Sequence, residues 1–466
     1  MTYILGTRIA HPLAYPSNMN RRFKITMLLF IALSIRVQAQ EKWTLDECVA
    51  YAVENNLVLN NVEYTEDASR ESYRQSVRNL LPTVSGFTNY NKSFGRSEDP
   101  NTSAIVTTDF FSNNYALNSS IDLFQGFQKW NAIRAAKFIR EAAGEEVLQE
   151  KYLLAFRVMS AFYNIRFNEG LIEISKEQEQ ISQNNYDLVK RQIELGLKAG
   201  ADLYEAESQL FTDKLTVTQA KNGLADAKLN LIQEMNLTGT KSIEIQTALD
   251  EITVEADTSG IDRDSIYNTA ENFIPIIKAQ ELRAKAAKKQ VGVARGALFP
   301  SLTMNAGYAT GYFETNVNDA GEIIPFRDQF RDNTSRYFGF SLNVPISDQW
   351  SRHSDIKQQK IERLRAENNL NLERQQLYQQ IQQLVQNHES FQVEYEQSSK
   401  KVKSQRLAFT IAQKRYEKGL INALDLSQAQ NLFATAQNEN LDVRLRLIVN
   451  EKTLDFYRGL PVFDIK

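Results

Sequence analysis

The sequence feature that most constrains the fold is an internal duplication. Pro82 and Pro300 stand in similar contexts 218 positions apart, and Ala52 and Ala270 share that offset. Three later pairs are each separated by 223 positions: Gly196 with Gly419, Asp202 with Asp425, and Leu237 with Leu460. Several pairs at two constant offsets, in one order, indicate a duplication rather than chance. We therefore predict two copies of one structural unit, over residues 40–250 and 262–466.

The N-terminus predicts export from the cytoplasm. A basic cluster at 21–24 precedes an apolar run over 25–35, and a small-residue cleavage pattern follows. These features predict a secretory signal peptide over residues 1–39, with Met19 as an alternative start. A single transmembrane anchor is the competing interpretation, but the run is shorter than the roughly 18 to 20 residues that a membrane helix needs. No later run reaches that length, so the mature protein could cross a membrane only with strands.

The composition argues against several classes of function. The 54 Lys and Arg residues nearly balance the 57 Asp and Glu residues, so no basic field favours a nucleic-acid partner. Cys48 is the single cysteine, and only His353 and His388 lie outside the predicted signal peptide. With so few candidate ligands and nucleophiles, we expect no catalytic residues, no metal site, no cofactor and no enzymatic activity.

Four segments alternate between apolar and polar residues with period two, at about 83–92, 114–124, 301–312 and 335–345. Each has the length of a tilted strand that crosses a bilayer. Two exposed hairpins of a soluble sheet would alternate in the same way. Aromatic residues near the strand ends favour a membrane girdle instead: Tyr90, Tyr115, Tyr312 and Tyr337. The polar segments 92–114 and 313–334 would then be extracellular loops.

A proline-free helical pattern runs for roughly 65 residues from near Gln128 and again from near Ser351, which corresponds to about 100 Å of helix. Apolar residues recur along both segments at alternating steps of three and four, as in a coiled-coil seam. Each long helix ends at a glycine, Gly196 or Gly419, and a return helix of about 35 residues follows. A fibrous coiled coil would explain the seams but not the strands or the signal peptide.

Two aspartates stand at the starts of the predicted return helices. At these positions Asp202 and Asp425 would meet unpaired backbone N–H groups and the positive end of the helix dipole. Helix capping therefore explains both residues without any further function. A similar signal starts the first copy, where Thr44 and Glu47 have the spacing of a capping box.

Several motifs together carry a family resemblance. They are Leu81-Pro82 and Phe299-Pro300 before strands, Asn343-Val344-Pro345-Ile346 after one, and the tip pattern from Tyr416 to Ala429. With them, the chain resembles the TolC-like outer membrane efflux proteins over its mature length. The resemblance implies a mainly α fold with a transmembrane β-barrel portion. Long helical hairpins form an α-barrel, and each protomer gives four strands to a trimeric twelve-stranded barrel. Four strands cannot close a barrel alone, and lipid does not tolerate open edges.

The implied function is the exit duct of a Gram-negative tripartite efflux pump or type I secretion system. Such a duct is a passive conduit in the outer membrane that extends into the periplasm. Its implied partners are two further copies of itself, a periplasmic adaptor, an inner-membrane pump of the RND or ABC type, and outer-membrane lipid. The alternative is the periplasmic adaptor itself, which would show one helical hairpin flanked by compact β domains. The transported substrate is not readable from the sequence.

The resemblance also assigns candidate site residues. It implies a periplasmic aperture at Tyr416, Asp425, Asp202 and Gln428, in which Asp425 forms the first acidic ring. The match fails at the second ring, where Gln428 stands, and at the family's arginine position, which is Ile421. Two further sets are implied: the tip turns Gly196 and Gly419 as adaptor-docking sites, and Pro82, Pro300 and Pro345 as barrel boundaries.

Overall fold

The computed structural model describes residues 42–99, 103–197, 199–239, 242–246 and 262–465. The predicted signal peptide, residues 1–39, lies outside this range. Within it, the two halves of the chain contain the same main elements in the same order, as the repeated sequence predicts. Each half has two short helices, two long strands, a very long helix and a return helix.

The first half begins with helices α1 (Leu45–Asn55) and α2 (Leu57–Arg78). Strands β1 (Thr83–Ser93), β2 (Arg96–Glu98), β3 (Ile105–Thr107) and β4 (Phe110–Gln125) follow, then α3 (Gln128–Glu194) and α4 (Gly200–Met235). The second half contains α5 (Arg263–Phe273), α6 (Pro275–Gly296), β5 (Ser301–Phe313), α7 (Phe326–Asp332), β6 (Ser335–Asn343), α8 (Ser351–Glu417) and α9 (Ala423–Tyr457).

Each half opens with two helices that are separated by a sharp break. The predicted capping box is present, with the Thr44 hydroxyl and the Glu47 carboxylate each accepting a backbone N–H. The break in the first half falls at Asn56, whose Oδ1 accepts the N–H of Val58 at 2.9 Å and so starts α2. In the second half Pro275 occupies the first position of α6, where its missing N–H leaves no bond unmade.

The long helices α3 and α8 each contain 67 residues, close to the expected length. The return helices α4 and α9 contain 36 and 35 residues. The predicted stripe on α3 is buried, including Leu154, Val158 and Ile165. Over the part of the chain that the structure describes, none of the helices is both long and apolar enough to cross a membrane.

The four long strands form one antiparallel sheet in the order β1-β4-β5-β6. Its register places Leu117 beside Tyr308, and Ala306 beside Phe338. One face is therefore apolar, with members that include Val84, Leu117, Met304, Phe338, Phe340 and Leu342. The other face is polar, with members that include Ser85, Asn118, Asn305, Ser341 and Asn343. The apolar face is open in the protomer, where Phe338 is 73% exposed.

Tyr337 does not join the predicted aromatic girdle. It pairs with Gly307, and its hydroxyl donates to Asn118 Oδ1 at 3.3 Å, so its ring lies on the polar face. Period-two alternation requires this, because the neighbouring residue Phe338 points to the apolar face. Tyr90 and Tyr312 do lie on the apolar face, where both rings contact the ring of Phe111.

Two equivalent cores hold the short helices against the long ones. Ala52 of α1 and Ala270 of α5, related by the repeat, are both fully buried. The first core joins α1 to α3 and α4, and a parallel bridge between Trp43 and Ile245 covers it. The second core joins α5 to α8 and α9. The two hairpins are thus fixed at mid-length, while their turn ends extend beyond these cores.

The segments predicted as extracellular loops carry structure of their own. Strands β2 and β3 form a small hairpin in the first loop, and α7 lies in the second. Gln329 of α7 is 1% exposed. Its Nε2 donates to the carbonyls of Phe313 at 3.0 Å and Ile324 at 2.7 Å, which ties the loop to the end of β5.

The passage from strand to long helix repeats the same backbone conformation. Gly126 and Phe127 have φ values of +56° and +63°, and Gln349 and Trp350 have values of +56° and +68°. Only the first copy places a glycine there. A Cβ on Gly296, at the end of α6, would lie 2.6 Å from the Gly126 carbonyl oxygen. The two backbones therefore cross in contact, and neither glycine can accept a side chain.

Candidate functional site

Both hairpins turn through a glycine in the left-handed region. Gly196 has a φ of +72° and Gly419 a φ of +71°, values that disfavour any residue with a Cβ. At each turn two backbone bonds close the helix end. Gly419 N–H donates to the Tyr416 carbonyl at 2.9 Å, and Leu420 N–H donates to the Arg415 carbonyl at 2.9 Å. This is a Schellman ending, and the first hairpin repeats it.

Asp202 and Asp425 lie at the starts of the return helices, as predicted, but neither is the N-cap residue itself. Ala199 is the N-cap of α4 and makes no side-chain bond. Asn422 is the N-cap of α9, and its Oδ1 accepts the N–H of Asp425 at 2.8 Å. Asp202 and Asp425 lie in the first turn, where the helix dipole still favours a carboxylate.

The predicted aperture residues are not gathered at one surface of the protomer. Asp425 and Gln428 are exposed, and Asp202 is half-buried. Tyr416 is 1% exposed and packs in an apolar cluster between the two hairpins. In that cluster Phe409 and Phe433 stack with ring centroids 5.9 Å apart. The tyrosine is therefore a core residue of the tip, whereas the carboxylate of Asp425 faces outward.

Sequence reasoning missed a cavity beside this cluster. It has a volume of about 310 Å³ and lies between α3 and α8. Arg191 and Glu417 line it together with Tyr416. Arg191 stands in the last turn of α3, where a cation suits the negative end of the helix dipole. That local signal was available, but nothing in the sequence indicated which face of α3 meets α8.

The three prolines assigned to the barrel boundaries lie next to the sheet. Pro82 and Pro300 directly precede β1 and β5, and Pro345 is the second residue after β6. Proline donates no N–H to a strand ladder, so it is suited to a position just outside one. The expected strand limits, about 83–92 and 301–312, lie within one residue of Thr83–Ser93 and Ser301–Phe313.

Comparison with known proteins identifies the family that has this architecture. The family model described as "Outer membrane efflux protein" matches residues 49–237 and again residues 266–460. The chain belongs to the outer membrane efflux protein family. The two matches fall one in each repeat. This family consists of efflux conduits rather than enzymes, and the chain is an outer-membrane efflux channel.

Individual relatives agree with this membership. The chain is 22% identical over 321 residues to the outer membrane protein TolC of Vibrio cholerae, covering 68% of each chain. It is 20% identical over 424 residues to a probable efflux pump outer membrane protein, TtgC, of Pseudomonas putida, covering 89% of this chain and 82% of the relative. The fold is similar to the crystal structure of the CmeC outer membrane channel of Campylobacter jejuni, with a TM-score of 0.74 at 16% identity, covering 89% of this chain and 85% of that chain.

These findings confirm the predicted fold class, an α-barrel and β-barrel fold built from a duplicated unit. They also decide between the two functional interpretations. A periplasmic adaptor would have one helical hairpin, whereas the described residues form two hairpins and a four-stranded sheet. The adaptor alternative is therefore set aside.

Proposed function

We propose that three copies of this chain close into a passive exit duct of a tripartite efflux or secretion system, without enzymatic activity. The observation that carries the proposal is the four-stranded sheet, which has an apolar face and two edge strands, β1 and β6. A sheet edge in lipid leaves backbone N–H and C=O groups without partners, so only a closed barrel is stable there. In antiparallel order, β6 of one copy pairs with β1 of the next, which gives twelve strands. The apolar face then contacts outer-membrane lipid.

The helices support the same closure. On α8 the exposed apolar residues include Val393, Leu407 and Ile411, and on α4 they include Phe211 and Leu215. Contiguous apolar surface of this kind marks an interface in a folded protein. Helix α8 directly follows the edge strand β6 in the chain. Three copies would bury these apolar residues against one another and form the helical wall of the tunnel.

The aperture of the resting duct would lie at the hairpin ends. Asp425 is exposed in the first turn of α9, so three copies can bring three carboxylates around one axis. A narrow ring of carboxylates concentrates cations and slows other ions. With Gln428 at the second ring position and Ile421 at the arginine position, this single ring is the main electrostatic barrier. Movement of the tip helices away from the axis would open the duct.

Exchanging the proposed ring residue tests this function. In Asp425→Ala, trivalent cations should block single channels in planar bilayers more weakly than in the parent protein, because three negative charges are lost. Asp226→Ala is the matched control, since Asp226 is exposed on α4 well away from the turn. Equal cation block in the parent, Asp425→Ala and Asp226→Ala proteins would reject the aperture.

The adaptor would dock at the hairpin turns. A Cβ placed on Gly196 or Gly419 would meet nothing within 4 Å, so the turn surfaces are open to a partner. We assign this surface to the helical hairpin of a periplasmic adaptor, which connects the duct to an inner-membrane pump of the RND or ABC type. The pump supplies the driving force, and the duct supplies the path.

Gly419→Trp should fill the docking surface, lower drug resistance and reduce cross-linking to the adaptor. Gly321→Trp is a close control because Gly321 also has a positive φ, +79°, and open space around it, but lies in the loop at the sheet end. Both substitutions place a side chain at a positive φ of similar size. If the two behave alike in resistance and cross-linking, the docking role of the Gly419 turn is wrong.

A further inference from the structure

A buried carboxylate between the two hairpins has no role in the function described so far. Asp213 of α4 is 8% exposed. Burying a charged group is unfavourable unless hydrogen bonds replace its water, so an aspartate in a helical core requires a structural reason. Its position is also distinctive, because it lies between the mid-length cores and the turn ends of the hairpins.

Three helices donate hydrogen bonds to this carboxylate. The Ser182 hydroxyl of α3 donates to Oδ2. Gln209 Nε2, one turn earlier on α4, donates to Oδ1 at 3.1 Å. Gln430 Nε2 of α9 donates to Oδ2 at 3.1 Å. The carboxylate therefore joins the first-repeat hairpin to the return helix of the second repeat.

Further side chains extend the connection on both sides. Ser427 of α9 donates to Gln209 Oε1 at 2.8 Å. Gln178 of α3 donates through Nε2 to Gln437 Oε1 of α9 at 3.1 Å. Gln430 Nε2 also lies 3.3 Å from the Gln178 carbonyl oxygen. We call the set formed by Gln178, Ser182, Gln209, Asp213, Ser427, Gln430 and Gln437 the polar layer.

The polar layer fixes one arrangement of these helices, unlike the apolar cluster nearer the tip. Apolar side chains such as Val189 and Phe433 can exchange neighbours when a helix shifts, at a modest free-energy cost. Hydrogen bonds require specific partners. A shift of α9 along α3 would leave the Asp213 carboxylate buried without the Gln430 donor, which is far more unfavourable. Buried polar residues fix helix register in coiled coils by the same mechanism.

We propose that the polar layer is a latch: the bonds from Ser182 and Gln430 to Asp213 hold α9 on the first-repeat hairpin and set the resting position of the duct tip. This inference rests on the proposed function, in which the tip helices move when the duct opens. Release of the Gln430 bond must accompany any movement that separates α9 from α3. The latch lies inside each protomer, so it acts separately from a carboxylate ring on the axis.

The opposing effects of burial and hydrogen bonding on the Asp213 carboxyl are consistent with hydrogen bonds that can be released. Burial raises the pKa of the Asp213 carboxyl, and the negative charge of Glu179 raises it further, while the bonds from Ser182, Gln209 and Gln430 lower it. The charged form is thus held mainly by these donors. Loss of one donor weakens the hold of the others, which makes the latch cooperative.

The test uses the full-length protein in planar bilayers, with open fraction and thermal melting measured in parallel. Gln430→Leu removes the α9 donor, and we expect a several-fold higher open fraction than in the parent protein. Asp213→Asn can keep an amide oxygen as acceptor for Ser182 and Gln430 and loses only the acceptor for Gln209 within α4, so it should remain closed, while Asp213→Leu should open. Asn438→Leu on α9 and Asp226→Asn on α4 are controls, because both residues are exposed on the same helices.

The outcomes separate the latch from the proposed function. A merely structural polar layer would lower the melting temperature of Gln430→Leu and leave its open fraction unchanged, and that result overturns the latch. If Asp213→Leu does not assemble, Gln430→Leu decides alone. If Asp425→Ala changes the cation block while all latch variants keep the parent open fraction, the proposed channel function is supported and the latch is wrong. If the parent protein itself forms no channels, the proposed function fails first.

Discussion

The long helices α3 and α8 have equal length and equivalent places in the repeat, yet they are buried to different degrees. Fifteen residues of α3 are buried in the protomer, against eight of α8. Helix α3 is covered by α1, α2, α4, α6 and α9, whereas α8 contacts mainly α6 and α9. On its remaining side α8 exposes large apolar residues: Ile361, Leu364, Leu372, Val393, Leu407 and Ile411.

This difference shows that α8 carries a second apolar stripe besides its coiled-coil seam. The seam of α8, with Leu377, Ile381 and Tyr416, is buried in the protomer, whereas the stripe that contains Val393, Leu407 and Ile411 is exposed. Exposed apolar surface of this extent is unfavourable in water. We therefore interpret the exposed side of α8 as an interface with a second copy, which would contact α8 through its first repeat.

The largest expected effect is loss of assembly. In Leu407→Asp, a carboxylate enters the proposed interface of α8, and we expect trimers to dissociate into monomers in mild detergent. Light scattering coupled to size-exclusion chromatography measures this. Ser390→Asp, which places the same charge at an exposed polar position of α8, should leave the trimer intact. A trimeric Leu407→Asp protein would mean that the exposed side of α8 is not an interface.

Next in size is loss of the internal core. Leu154 of α3 is fully buried, so Leu154→Ala should lower the free energy of unfolding by about 2 to 5 kcal/mol. Leu407→Ala should change the unfolding of a monomer far less, because Leu407 is 65% exposed there. Urea unfolding in detergent compares the two variants. If both variants lower the free energy of unfolding of the monomer equally, the inferred difference in burial between α3 and α8 is wrong.

Acidity should affect His388 of α8 and Asp213 of α4 in opposite ways. Burial lowers the pKa of His388 on α8, and Arg458 lowers it too, although Glu451 and Asp455 raise it. A depressed folded-state pKa means that His388 contributes stability above its unfolded pKa, and that this stability is lost as pH falls. Asp213, packed against α3, has a raised pKa, so its contribution is present at low pH and is lost as pH rises through the folded pKa.

Melting curves over the acidic to neutral pH range test this pair. His388→Phe should remove the stability that is lost as pH falls below the ordinary histidine pKa. Asp213→Asn should remove the stability that is lost as pH rises above the ordinary aspartate pKa. If both variants change stability in the same direction with pH, the assignment of the two losses to these groups is wrong.

The smallest effects concern the caps of the return helices. Asn422→Ala removes the side-chain cap of α9 and should cost about 0.5 to 2 kcal/mol of stability. Ala199→Asn should stabilise α4 by about 1 kcal/mol at most, because Ala199 already has the extended backbone of an N-cap and lacks only the acceptor. Thermal melting of the paired variants measures both. A loss in Ala199→Asn would show that α4 does not tolerate the cap.

The elements of this fold were predictable because their signals are local. Proline-free helical periodicity predicted α3 and α8, and period-two alternation predicted the four long strands. The break at Asn56 was missed, since an asparagine inside an apolar pattern is a weak signal. Contacts between repeats could not be predicted. Ser182 and Gln430 lie 248 positions apart, and no periodicity indicates which polar residues of two helices face each other.

The candidate site was predictable only in part, for the same reason. The glycine turns follow from sequence because a positive φ selects glycine. The burial of Tyr416 does not follow from the sequence, because it depends on the orientation of α8 about its axis relative to α3. Polar residues such as Gln178 and Asp213 resemble solvated surface positions when only their own helix is considered. Helix α9, which belongs to the second repeat, packs against these residues and makes them part of the core.

The crossing of Gly126 and Gly296 limits how this chain can change in length. The loops at the open end of the sheet can gain or lose residues, since their ends are already held by strand pairing. At the crossing, an added residue would push two touching backbones apart and rotate a 67-residue helix about its starting point. A rotation of a few degrees there is magnified along about 100 Å into a displacement of several ångströms at the far end. We therefore expect inserted residues to be tolerated in these loops and not at this crossing.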